Sequence, residues 1–444
     1  MSAVRLCDIR DCLEGAIPAV LATSDAQGVP NVTYLSQVFF VDEAHVALSF
    51  QFFNKTRRNI LANPHATALL IHPRTAGLFR LHLRYLRTES EGALFERMKA
   101  QLAGIASHTG MEGVFKLLGS DIYEVELVEA VPGEPLPAPT ASPGRLAVLR
   151  TGAERLARCT ALDAALDAVL ATLSDGLRIR HAMVLVLDAK HQRLYTVASC
   201  GYPTSGVGSE ILVGHGVIGV AARERVPVRI SHVTTAASYS QALRGSVDAG
   251  ALQPPSHEIP YPGLAQPHSQ LAVPILSMDR LLGVLFVESP RELEFGFEDE
   301  DALVVLAGHL GAAMELLQVA GEAENVSTPP AVAAPAPRGA MRLRRFHAND
   351  SIFIDDTYLI KGVAGAILWK LARDHVQQGR TDFSNRELRL DATLGLPDVT
   401  DNLEARLLLL QRRLQEHGPH LRIEKTGRGR FRLVVGRTLQ LAEA

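Results

Sequence analysis

Two proline- and alanine-rich stretches constrain this chain more than any other feature. Residues 131–143 read VPGEPLPAPTASP and residues 321–339 read GEAENVSTPPAVAAPAPRG. Neither carries the apolar period of a helix or strand, and proline favours extended backbone, so both are expected to act as semi-stiff spacers. A chain of 444 residues exceeds what one hydrophobic core normally organises. Cutting it at these stretches leaves three folded units, residues 1–130, 145–320 and 340–440, with linkers at 131–144 and 321–339. The expected fold class is multidomain α+β.

The formal net charge of −3 hides an asymmetry. Residues 341–444 hold 18 Lys and Arg against 13 Asp and Glu, whereas residues 1–340 hold 27 against 35. A basic tail on an acidic body points to nucleic-acid contact in one domain. The apolar runs Leu271–Leu276 and Leu281–Val287 stop far short of the ~20 residues that span a bilayer, so no membrane segment is expected. The N-terminus MSAVRLCDIRDCLEG has no secretory pattern. Cys7, Cys12, Cys159 and Cys200 form no CxxC pair, which argues against a disulfide framework or a metal site and for a reducing cytoplasm.

In the first unit, short apolar or alternating runs outnumber helices: Ala19–Thr23, Asn31–Phe40, His45–Phe50, His65–Ile71 and Asp121–Val128. That pattern predicts a small β-barrel. Residues 45–71, HVALSFQFFNKTRRNILANPHATALLI, read as strand, polar turn, short helix and strand. A phosphate is held best by cationic and hydroxyl donors converging at a helix start, and Lys55, Thr56 and either Arg57 or Arg58 supply them. The stretch resembles the pyridoxamine 5′-phosphate oxidase-like split-barrel family, over about 120 residues from ATSDAQGVPNVTYLSQVFFVD to SDIYEVELVEAVPG. The resemblance implies bound FMN, with Ser49 and Gln51 on the flavin side and Asn54, Lys55, Thr56 and Arg58 toward the phosphate. It also implies a homodimer. A barrel that has lost its cofactor is the alternative, and without the Arg-x-His clamp of the vitamin oxidases no turnover of pyridoxamine phosphate is expected.

The second unit opens with an amphipathic helix predicted at Ala153–Leu173 and closes with one at Glu298–Leu317. Strands are predicted between them at His181–Leu187, Leu194–Ala198, Gln270–Ile275 and Leu281–Glu288. The segments GHGVIGVAA, AVPIL and GVLFVES resemble a GAF domain, which implies a small-molecule pocket between the sheet and the long connection Ser231–Ser269. The ligand is not legible, and a purely structural, dimerising GAF is the alternative. His215, His232, His257 and His268 match no metal-ligand spacing, and Cys200 lacks the neighbouring histidine of a bilin site.

The third unit reads as a strand pair, RRFHANDSIFIDDTYLIK, then a helix at Val363–Gln377 carrying Trp369. A helix capped by Ser384 and Glu387, a loop and a helix at Asp401–His417 follow, and the hairpin LRIEKTGRGRFRLVV comes last. This resembles the winged-helix domain of OmpR-type response regulators, which implies DNA as partner. Asn402, Arg406, Arg412 and Arg413 on the long helix and Lys425, Arg428 and Arg430 on the wing are the expected DNA contacts. Leu403, Leu407, Leu410 and Leu414 form the helix's core stripe, which leaves Ala405, Leu408, Leu409 and Arg412 facing away, with Asn402 and Arg413 at the margins. Major-groove readers are usually more polar, so an apolar patch that meets protein is the alternative.

Together these readings predict a ligand- or flavin-responsive transcription regulator with no catalytic residues of its own. The rivals are an FMN-dependent oxidoreductase with regulatory domains and a signalling scaffold whose winged helix binds protein.

Overall fold

The computed structural model describes residues 4–13, 17, 19–35, 38–50, 55–109, 117–136, 144–231, 259–323, 339–394 and 403–443. Its first unit is a seven-stranded antiparallel sheet. The strands are β1 (Ala19–Ser24), β2 (Pro30–Leu35), β3 (Phe39–Phe40), β4 (His45–Phe50), β5 (His65–Ile71), β6 (Leu78–Glu89) and β7 (Gly119–Ala130). They lie in the order β2-β1-β5-β6-β7-β4-β3.

The run predicted as one strand, Asn31–Phe40, is thus two strands at opposite edges of the sheet. Leu35 and Phe39 are four residues apart, a reach of about 14 Å, whereas the edges of a flat seven-stranded sheet lie about 29 Å apart. The sheet must therefore curl until its edges approach, and its inner side chains, Leu21, Val46, Leu70, Leu81 and Tyr123 among them, fill the barrel at 0–1% exposure. Helix α1 (Lys55–Ala62) follows β4. Elements that went unread in the sequence include β6, whose Arg and His residues mask its apolar alternation, and α2 (Ala93–Thr109).

The second unit is a six-stranded antiparallel sheet ordered β10-β9-β8-β13-β12-β11. Its strands are β8 (His181–Asp188), β9 (Arg193–Cys200), β10 (Glu210–Leu212), β11 (Val228–Ile230), β12 (Ser269–Ser277) and β13 (Arg280–Ser289). Strands β8, β12 and β13 are nearly continuous apolar runs because both faces of the sheet are covered. Helices α3 (Arg145–Ala157), α4 (Leu162–Ala171) and α6 (Phe297–Ala323) contribute to the core on one face, and α5 (Gly216–Glu224) covers the other. The helix predicted at Ala153–Leu173 is in fact α3 and α4, parted at Arg158–Ala161 and ending in a wide turn at Thr172–Gly176. Helix α6 is long and apolar enough to cross a membrane over Phe297–Ala320, at a mean hydropathy of 1.6, yet its Leu303, Leu306, Ala307 and Leu310 are core residues of this domain. At Gly219 on α5 an added Cβ would stand 2.3 Å from the Leu212 carbonyl oxygen, which explains the glycine spacing around the start of that helix.

The third unit joins two sheets. One is ordered β16-β15-β14-β20, from β14 (Ala340–Phe346), β15 (Ser351–Ile354), β16 (Thr357–Ile360) and β20 (Thr438–Glu443); the other is β17-β19-β18, from β17 (Asp382–Ser384), β18 (Leu421–Gly427) and β19 (Arg430–Val435). Between them stand α7 (Gly362–Gln378), α8 (Asn385–Leu390) and α9 (Leu403–His417). The Ser384–Glu387 capping box forms as read. Strand β20, parallel to β14, was not foreseen.

The barrel packs against the second unit, which in turn shares a hydrophobic cluster with the third. Helix α2 of the barrel lies on α5 and β11, and its Ala100 belongs to the core of the second unit. The buried carboxylate of Glu300 accepts hydrogen bonds from Arg97 of α2 and Arg229 of β11, both at 2.8 Å. The Arg10 and Arg229 guanidinium groups flank the Phe297 ring, at 4.2 and 4.4 Å from its centre. Truncating Leu285, which is fully buried, should cost about 2–5 kcal/mol in a denaturant titration, because the cavity it leaves cannot collapse. Leu316→Ala, on the exposed side of α6, should stay within about 0.5 kcal/mol.

Candidate functional site

In the barrel, α1 follows β4 and carries no acidic residue in its first turn. Lys55 and Arg58 are both exposed, and neither makes an ion pair among the described residues. The Thr56 hydroxyl accepts a hydrogen bond from Asn31 Nδ2 (2.9 Å). Its single O–H is thereby turned toward another acceptor. Of the two candidate arginines, Arg57 is committed elsewhere: it pairs with the buried Asp121, donates to Thr88 Oγ1 (2.9 Å) and lies 4.1 Å over the Phe50 ring. Arg57 therefore braces β7 and β6 against α1. Ser49 lies on β4 opposite Ser120. Gln51 and Asn54 lie outside the described residues.

In the second unit, the described part of the long connection ends at the sheet. Glu288, 1% exposed at the end of β13, accepts from the Leu264 N–H (2.7 Å) and from Gln270 Nε2 (3.2 Å). Burial pushes its carboxyl above the usual range. Sequence reading missed Glu288 because a charged residue at the end of an apolar strand looks like a solvated boundary. His232 and His257 fall outside the described residues, and His268 lies 3.6 Å from Glu292. Among the described residues no group of His, Cys, Asp and Glu is placed to hold a metal.

The third unit differs most from expectation. The outward face of α9 does not meet solvent: Ala405, Leu408 and Leu409 are 2–3% exposed and belong to the core shared with the second unit. Arg406, 4% exposed, lies 3.1 Å from the Asp188 carboxylate at the end of β8 and 5.1 Å over the Tyr195 ring. Arg412 donates to the Val197 carbonyl (2.9 Å) and pairs with Asp167 (3.0 Å). Arg413 donates to the Leu359 carbonyl (3.0 Å) and pairs with Glu416 (2.5 Å). On the hairpin, Lys425 lies 3.4 Å from Asp163 of α4. Arg428 and Arg430 flank the turn whose Gly429 takes φ +62°, a conformation that favours glycine. Asn402 lies outside the described residues. The apolar patch read as a possible protein-binding face is thus covered by the chain's own second unit. Asp188 was invisible in the sequence because its partner lies 218 residues away.

Residues 8–126 match the family model described as pyridoxamine 5′-phosphate oxidase, and residues 159–315 match that of the GAF domain. The chain carries one domain of each kind, in that order. Among solved structures it is similar to the GAF domain of an Acinetobacter phosphoenolpyruvate-protein phosphotransferase, at 22% identity over 42% of this chain and 100% of that one, with a TM-score of 0.32. It is also similar to an FMN-binding protein from Syntrophomonas wolfei subsp. wolfei (15% identity, 29% of this chain and 86% of that one, TM-score 0.25). HupZ of Group A Streptococcus is a further similar structure (22% identity, 30% and 98%, TM-score 0.24). No curated protein matches the chain.

Burial alone would raise the Asp188 carboxyl, but the Arg406 charge and the His191 hydrogen bonds hold it below the usual carboxylate value. A depressed pKa contributes stability that is complete above the unfolded value and is lost as pH falls through the folded one. Acidification across that range should accelerate amide exchange in α9 before it does so in β8. Asp188→Ala, which strands a buried guanidinium, should destabilise the protein by about 3–5 kcal/mol at neutral pH, measured by denaturant unfolding.

Proposed function

We propose that this chain is a ligand-sensing regulator whose third unit is a winged helix held against the GAF domain until a signal releases it. The observation that carries the reading is the pairing of Arg406, Arg412 and Lys425 with Asp188, Asp167 and Asp163 of the GAF domain. Three cations suited to DNA phosphates meet acidic side chains of the chain's own sensor. DNA binding by α9 then requires separation of the two units, and Arg428 and Arg430 on the hairpin supply further phosphate contacts. A signal shifts this equilibrium only by binding one arrangement better than the other.

The barrel supplies a second sensory input. Its family match and the Lys55, Thr56 and Arg58 cluster at the start of α1 support FMN as the ligand. When bound, flavin would supply a redox-active ring, with Lys55, Thr56 and Arg58 holding its phosphate and Ser49 beside the ring. A second copy of the chain would cover β2, an edge strand whose Val32 and Tyr34 are 64% and 78% exposed. Asn31, on the same strand, touches Thr56, so the dimer face and the flavin site adjoin.

Lys55→Ala combined with Thr56→Ala should purify colourless, while Tyr34→Asp should run as a monomer in light scattering. Retained yellow flavin in the double variant would remove the phosphate site. For the third unit, Asp163→Asn combined with Asp167→Asn should bind a random-sequence DNA duplex more tightly than the parent protein in fluorescence anisotropy. Adding Arg428→Ala and Arg430→Ala should reverse the gain and lower the slope of log affinity against log salt by about 2, one counterion for each lost phosphate contact. No DNA affinity in the charge-released variant at low salt would refute the DNA reading.

A further inference from the structure

Where the hairpin meets the GAF domain, the packing leaves a cavity of about 240 Å³. One wall belongs to the GAF domain: Leu162 at the start of α4 and Leu317 near the end of α6. The opposite wall belongs to the third unit: Leu407 of α9 with Ile423 and Phe431 of the hairpin. The surface between them is mostly apolar, and its volume lies just under the roughly 300–1,000 Å³ usual for small-molecule sites.

Two polar features mark it as more than a packing gap. Asn385 lines the cavity at 3% exposure, and its Oδ1 has no hydrogen-bond partner among the described residues. Its orientation is fixed, because Nδ2 donates to Glu404 Oε1 at 2.5 Å and a flip would set two acceptor oxygens together. A buried acceptor left unmatched costs about 1–3 kcal/mol, and folded proteins retain few of them. The second feature is Arg430, which lines the same cavity beside Arg428 and has no ion pair among the described residues. Lys425 there is already matched by Asp163 and Glu404.

We propose that this cavity is a binding site for a small amphipathic anion. Its ligand has an apolar body of about one aromatic ring, a carboxylate or similar group for Arg430, and an N–H or O–H donor for Asn385 Oδ1. The site is distinct from the flavin turn and from the GAF connection, and it does not depend on the DNA reading. Both units contribute to its wall, five lining residues from the second and eleven from the third, so an occupant binds only the packed arrangement and stabilises it in proportion to its affinity.

The test uses the full chain and isothermal titration with 4-hydroxyphenylacetate, indole-3-acetate and octanoate as probes. At least one should bind saturably at one per chain. Arg430→Gln should weaken that binding by about ten-fold, the loss of one charge-assisted hydrogen bond. Gln411→Trp, a cavity-lining change from a half-buried position, should abolish it with the thermal unfolding temperature preserved. Tyrosol, which lacks the carboxylate, should bind about as weakly to the parent as 4-hydroxyphenylacetate does to Arg430→Gln. The proposal is overturned if no probe binds saturably, or if both variants bind as the parent does, which would place the ligand in another pocket. Loss of DNA affinity in the Arg430→Gln variant bears only on the DNA reading and leaves this result standing.

Discussion

The arrangement of this molecule depends on the burial of α9 between its own domain and the GAF sheet. An amphipathic helix ordinarily keeps one face in water. Here Leu403, Leu407, Leu410 and Leu414 fill the core of the third unit while Ala405, Leu408 and Leu409 extend it across the boundary. With both faces apolar and covered, one hydrophobic cluster runs from the GAF helices through the terminal domain. The Arg406 and Asp188 pair sits within that seam, at 5% and 1% side-chain exposure. Pairs so deeply buried add little net stability, since desolvation offsets attraction, but breaking one leaves an uncompensated charge. The pair therefore acts as a register pin, favouring the one docking position in which both charges are met.

The GAF domain occupies the middle of the chain and the middle of the structure. One face of its sheet is covered by α5, against which the barrel's α2 rests, and the other by helices that also contact the terminal domain. Displacement of one neighbour is felt at the sheet and so at the other, because packed interiors resist continuous deformation. Glu300 shows the same logic in one residue. It is a buried carboxylate that holds an arginine from the barrel and another from the GAF sheet, and it stands in the first turn of α6, the helix whose Leu317 walls the cavity beside the hairpin. The barrel, the GAF domain and the terminal domain are thus joined through a single sheet and a single long helix. The proposed release of α9 and the proposed anion site act at opposite ends of one balance: the first separates the units, the second fastens them.

Most of the GAF strands, the capping box and the terminal hairpin were legible in the sequence. Each follows from local chemistry: continuous apolar runs mark strands covered on both faces, and Ser384 with Glu387 satisfies the free amides of a helix start. Elements whose pattern was diluted by charge, such as β6, or whose continuity was broken by the sheet's closure, such as Asn31–Phe40, were not. That Arg57 is engaged by Asp121, 64 residues on, carried no local mark either. Which arginines face solvent on α9 could not be read at all, because the helix carries no local mark of the second surface that covers it. By itself the sequence determined composition, periodicity and turn chemistry, which act over a few residues and so fix elements and domains. Only the tertiary structure decided which side chains meet across long separations, because burial and charge pairing depend on proximity in space that the order of residues along the chain does not encode locally.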